Sequence, residues 1–191
     1  MPVPTPYASK ISIGLPSDEQ LRAVVGNDHD GSNMLNVLKM MAGTEDMYAP
    51  SVGFIKAIFQ ANGIDPKIRE VIMLRTAKVL NCPYEWQANV VLATNVGIGA
   101  GDIEALASDH AVTDLDPAYV LICAATDELS LGANMSDTTL SALLDTYGAV
   151  VTRKLILIIG WFNLLSRFLN GCRVLLETVN KIGQGTTPLS A

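Results

Sequence analysis

The stretch from Ile68 to Ala93, IREVIMLRTAKVLNCPYEWQANVVLA, constrains the chain more than any other. Ile68, Val71, Ile72, Arg75 and Val79 recur at helical spacing, which predicts a helix with one apolar side. Asn81-Cys82-Pro83 stops that helix, because Pro83 has no N–H and biases Cys82 away from the α region. Proline also favours the first position of a helix, so Cys82 is the expected N-cap of a second one. Trp86, Val90 and Ala93, at i, i+4 and i+7, give the second helix its buried stripe.

Composition bounds the rest. A chain of 191 residues fits one domain with an ample core. Hydrophobic residues make up 49 % and the mean hydropathy is +0.31, with only 17 % charged. That apolar content exceeds one core's need and points to buried subunit interfaces. The formal charge of -6 and the absence of a basic cluster argue against a nucleic-acid partner. Cys82, Cys123 and Cys172 lie far apart and are odd in number, which argues against a disulfide framework and for a reducing, cytoplasmic setting. MPVPTPYASK carries no signal-type apolar segment. Leu155 to Ser166 is apolar but twelve residues long, flanked by Arg153, Lys154 and Arg167. A spanning helix needs roughly 20 residues, so a buried helix is expected and no membrane partner.

Residues 1–16 hold four prolines and read as an extended arm, able to wrap a neighbouring subunit. One domain is expected over 17–182, followed by a loose tail over 183–191. Ser17 and Gln20 form a capping-box pattern opening a helix to about Val25. Further helices are expected over Ser32–Ala42, up to about Ala61 before Asn62-Gly63, and from Asp65-Pro66 into the central pair. Gly97 ends the second central helix. Others follow over Asp102–Ser108, from Asp114–Pro117 to about Leu131, and from Ser136 to Tyr147 before Gly148. An apolar stretch then runs to about Val179. No window alternates with period two and β-branched enrichment, so the expected fold is all-α.

Polar groups gather at the Cys-Pro junction. Cys82 at a helix N-terminus faces unpaired N–H groups and the positive end of the dipole, which favour a thiolate. Glu70 and Glu85 oppose it. Glu85 is third in its helix, where a carboxylate caps as readily as it catalyses. Asn163, Arg167 and Asn170 form a polar stripe on the last apolar helix, and Arg167 among leucines calls for a partner such as Glu70 or Glu85. His29, in Asp28-His29-Asp30, matches no ligand spacing and reads as a polar turn, so no metal is expected.

Arg69-Glu70, then Leu74-Arg75-x-Ala77, then Cys82-Pro83-Tyr84-Glu85-Trp86 resemble the carboxymuconolactone decarboxylase and alkylhydroperoxidase-D-like family. In the peroxidase branch the motif is a glutamate, Cys-x-His-Cys, and a histidine four residues on. Glu70 falls on that glutamate and Cys82 on the first cysteine. Tyr84 replaces the middle histidine, Glu85 the second cysteine and Asn89 the last histidine. The likeness is expected to run from about Tyr48 through the C-terminal apolar helix. It implies a compact helical bundle assembled as a dimer, trimer or hexamer.

With no resolving thiol at Glu85 and no relay histidine at Asn89, a two-cysteine peroxidase is not expected. Three readings remain. The first is a cofactor-independent lyase of the decarboxylase-like branch, acting on a small organic acid or lactone. Glu70 and Glu85 would be its acid or base, Tyr84 an auxiliary donor, Arg75 or Arg167 the carboxylate anchor, and Trp86 and Asn89 part of the binding site. The second is a single-cysteine thiol protein using Cys82. The third is a non-catalytic oligomeric binding protein.

Overall fold

In a computed structural model, residues 3–26 and 33–181 are described, and every regular element among them is helical. The helices are α1 (Asp18–Val25), α2 (Asn36–Ala42), α3 (Tyr48–Phe59), α4 (Pro66–Val79), α5 (Pro83–Asn95), α6 (Ala100–Leu106), α7 (Pro117–Gly132) and α8 (Asp137–Cys172), with a 3-10 turn at Glu45–Met47. The Asp28-His29-Asp30 turn, the expected helix start at Ser32 and the tail over 183–191 lie outside the described residues. The chain divides into two compact units, Met1–Ala8 with Asn62–Phe168 and Ser9–Ala61 with Leu169–Ala191.

The first unit is organised around α4. Every residue from Ile68 to Ala77 is buried, so α4 is enclosed on all sides rather than apolar on one. It packs most extensively on α5 and α7, and also touches α6. Val71, Ile72 and Leu74 are fully enclosed, each contributing roughly 2 kcal/mol by burial. Asp65 accepts from the Lys67 N–H at 2.8 Å and Pro66 occupies the first turn, as the Asp-Pro step predicts.

The end of α4 departs from a simple proline stop. Asn81 takes a left-handed conformation (φ 49), the Cys82 N–H donates to the Ala77 carbonyl at 2.8 Å, and the Asn81 N–H donates to Lys78. This is a Schellman closure with asparagine in the glycine position. It satisfies the last carbonyls of α4 and turns the chain, and Pro83 then opens α5 with Cys82 as its cap. Gly97 (φ 85) closes α5 the same way, with Ile98 N–H on the Ala93 carbonyl. α6 sits two residues earlier than expected, over Ala100–Leu106. Gly148 (φ 71) interrupts α8 where the sequence places a stop, and helix resumes beyond it.

α8 is long and apolar enough to cross a membrane by length and composition alone: its most apolar window has a hydropathy of 1.5, with 39 % of that window buried in the protein. The helix continues on both sides of the twelve-residue core read from the sequence. A buried core helix passes the same test.

In the second unit, the Ser17–Gln20 capping box is formed in both directions, at 2.8 and 3.3 Å. α2 starts at Asn36. Its first N–H is taken by the Glu177 carboxylate, and Asn36 Nδ2 donates to the Leu175 carbonyl at 3.1 Å. Lys181 bonds the Met34 carbonyl at 3.2 Å and pairs with Glu177 at 2.9 Å. The extended arm is pinned by its backbone: the Ile13 N–H donates to the Cys172 carbonyl, and Arg173 donates to the Ile11 carbonyl and to Ser9 Oγ.

Candidate active site

The α4–α5 junction brings Cys82 and Glu85 together, as helix geometry requires of an N-cap and the third residue after it. α8 adds a group that the sequence reading missed. Ser166 is fully buried and its hydroxyl donates to Glu85 Oε2. The same hydroxyl, with the Tyr84 and Glu85 N–H groups, lies within hydrogen-bond reach of the Cys82 thiol. The site is thus a cluster of Cys82, Glu85 and Ser166. Ser166 was detectable in principle, because Leu155, Ile159, Phe162 and Ser166 share one buried stripe of α8 and a hydroxyl is out of place there.

Glu85 is wholly enclosed. Its Oε1 has no partner, and burial pushes its carboxyl up to about 8, with the Ser166 bond acting against that. The carboxyl is therefore held protonated at neutral pH. Burial, reinforced by the Glu85 charge, pushes the Cys82 thiol up to about 12, over the opposing bonds from the helix N-terminus. Desolvation, which the sequence reading did not weigh, outweighs the helix N-terminus, and the Glu85 charge adds to it. All three cysteines are free thiols.

Glu70 is buried beside Arg69, whose Nε lies 3.2 Å from Oε1, while Oε2 has no partner. Burial raises its carboxyl to about 7, opposed by Arg69. Each carboxyl is shifted by its own burial and not by the other's charge. Tyr84, Trp86 and Asn89 are all buried along α5.

The two arginines have other tasks. Arg75 donates to both Asp127 oxygens at 2.6 and 2.7 Å, and to the carbonyls of Leu106, Ser108 and His110. These bonds engage all five of its N–H groups. Arg167 pairs with neither glutamate. It donates to Asn163 Oδ1 at 2.7 Å, to the Asn163 carbonyl and to the Ser130 carbonyl. Consecutive helix residues point about 100° apart, so with Ser166 inward Arg167 is exposed, near the negative end of α7. Asn163 Nδ2 also bonds Ser130 Oγ at 2.9 Å, tying α8 to α7.

A cavity of about 310 Å³ lies on the outer side of Arg75, lined by Lys78, Asn81, Asp109, His110 and Asp127 among others. A second, more open one of about 530 Å³ lies at the α7–α8 turn. Neither is lined by Cys82, Glu85 or Glu70. Among the described residues no three His, Cys, Asp or Glu side chains are grouped to hold a metal.

Residues 45–128 match the model of the carboxymuconolactone decarboxylase family. The match covers less than half of the chain, and over that stretch the chain is similar to the family. The matched stretch begins at the 3-10 turn, contains Glu70, Cys82, Tyr84, Glu85 and Asn89, and ends on α7. It does not reach α8, where the likeness had been expected to continue, so Ser166 and Arg167 lie outside it. No curated protein matches the chain.

Proposed function

We infer that the protein is a cofactor-independent acid/base enzyme of the carboxymuconolactone decarboxylase type, acting on a small organic acid or lactone. One observation carries this reading: Glu85 is a buried carboxyl, loaded with a proton at neutral pH, held by Ser166 at one oxygen and unpartnered at the other. In a decarboxylation the C–CO2 bond breaks, its electron pair passes into the conjugated substrate, and carbon must then receive a proton. Glu85 supplies that proton and is reprotonated from water. Ser166 holds the carboxyl in place, and Glu70 is the second proton-carrying group. Arg75 is saturated and Arg167 faces outward, so neither arginine read from the sequence as a substrate anchor is turned toward Glu85.

A Cys82 thiol pushed to about 12 argues against the single-cysteine reading. The burial of Cys82 and Glu85 away from both cavities favours a second reading, a binding protein without turnover. The test is incubation of the full chain with a panel of small carboxylic acids and lactones, followed by NMR for product and by melting for binding. The enzyme reading expects turnover that falls by roughly 10²–10⁴-fold in Glu85→Gln with the fold kept. Turnover unchanged in that variant overturns the role of Glu85. Stabilisation by a panel member without turnover establishes the binding reading instead.

A further inference from the structure

The cavity outside Arg75 lies wholly within the first unit, and its charges are unevenly matched. Asp127 has both oxygens on Arg75, at 2.6 and 2.7 Å, so that pair is closed on itself. Lys78 is held differently. Its side chain is only 14 % exposed, yet its ion-pair partner among the described residues is Asp109, at 2.6 Å and 77 % exposed. A sheltered ammonium paired with a solvent-facing carboxylate is weakly held, because the partner is well solvated on its own. His110 lines the same cavity. Lys78, through its bond and its charge, and then His110 and Arg75 hold the Asp109 carboxyl below the usual carboxylate range. Three basic groups thus favour negative charge at the spot where Asp109 rests.

We propose that this cavity is a binding site separate from Glu85, and that it takes a small carboxylate with an apolar body in place of Asp109. The chain's own carboxylate shows which chemistry suits the Lys78 ammonium. The volume of about 310 Å³ falls within the range of about 300–1,000 Å³ typical of ligand pockets. Val79, Ala111 and Leu131 complete the lining and offer apolar surface for the body of the ligand to cover. With Asp109 turned outward, one ion pair replaces another, and the covered apolar surface supplies the gain. A cationic ligand is disfavoured, since both aspartates are already paired and Arg75, Lys78 and His110 repel it. The site does not depend on the enzyme reading, because neither Glu85 nor Glu70 lines it.

The test is titration of the full chain with benzoate and with acetate, read by NMR on the ring protons of His110. The other histidine, His29, is replaced by glutamine to clear the spectrum. Benzoate is expected to move these signals saturably and to bind about tenfold more tightly than acetate, the scale of covering one ring. Asp109→Asn, at an exposed side chain, is expected to tighten benzoate by roughly 2–5-fold, the scale of a weak exposed ion pair. Lys78→Met is expected to weaken it at least about tenfold, the scale of one charge-assisted hydrogen bond, with unchanged helical circular dichroism. The absence of a saturable shift at His110 in both the wild type and Asp109→Asn overturns the site, whether or not the Lys78 variant folds. Unchanged affinity in Asp109→Asn overturns the exchange, and equal binding of the two probes overturns the ligand class. Loss of the His110 shifts in a folded Glu85→Gln assigns the carboxylate to the Glu85 cluster and overturns a separate site.

Discussion

Glu85 keeps its proton when folded and gives it up when unfolded over a wide pH range. Its carboxyl sits at about 8 in the protein against 4.5 unperturbed. Between those values the unfolded chain binds fewer protons, so stability falls as pH rises from about 4.5 to 8 and levels off outside that window. Glu70 acts with the same sign up to about 7. Glu85→Gln removes the titration while keeping the shape, so its melting temperature is expected to fall less between pH 5 and 8 than that of the wild type. Equal falls in both proteins would assign the loss to other groups. Cys82, fully buried, is expected to react with iodoacetamide at pH 8 at least about 100-fold more slowly in the native than in the unfolded protein. The positions of Cys82 and Glu85 were legible in the sequence because Pro83 fixes the register of α5. Ser166 stands out on its apolar stripe, but its partner does not, because Glu85 lies 81 residues away in the chain.

At the level of elements, the ends of helices were readable wherever local chemistry makes them. Gly97 and Gly148 lie at positive φ where the sequence predicts breaks, and Ser17 and Asp65 cap as their neighbours imply. The start of α2 was misplaced because its capping carboxylate, Glu177, is 141 residues away. The stop at Asn81-Cys82-Pro83 lies where the sequence places it, but left-handed Asn81 makes the closure rather than Pro83. Gly97→Ala is expected to cost about 1 kcal/mol in a urea titration. The cost is backbone strain, since the new Cβ would meet only the flexible end of Lys67, at 3.7 Å. Asn81→Gly is expected to be neutral or slightly stabilising, while Asn81→Val destabilises by forcing a β-branched residue left-handed.

Across the whole first unit, the tie that matters most joins residues 52 apart. Arg75 on α4 holds Asp127 on α7, and their side chains are 4 % and 20 % exposed. Breaking a buried pair from one side leaves an uncompensated charge, so Arg75→Met is expected to destabilise by about 3 kcal/mol. Asp127→Asn is expected to cost less than that, and the double variant less than the sum, as a double-mutant cycle in urea would show. An all-α chain could be inferred from its caps and periods. The partner of Arg75 could not, because a buried arginine looks the same in sequence whether it faces a ligand or a distant aspartate.

Three of the five bonds made by Arg75 go to carbonyl oxygens, those of Leu106, Ser108 and His110. The guanidinium therefore fixes the path of this connection through its backbone. Ser108, Asp109, His110 and Ala111 line the cavity outside Arg75. Ser108 also accepts the His110 N–H and Asp109 pairs with Lys78, so His110 and Ala111 are the positions at which descendants of this protein can recolour the cavity wall while its shape is kept. A loop whose form is inherited separately from its chemistry is a good starting point for acquiring a new ligand.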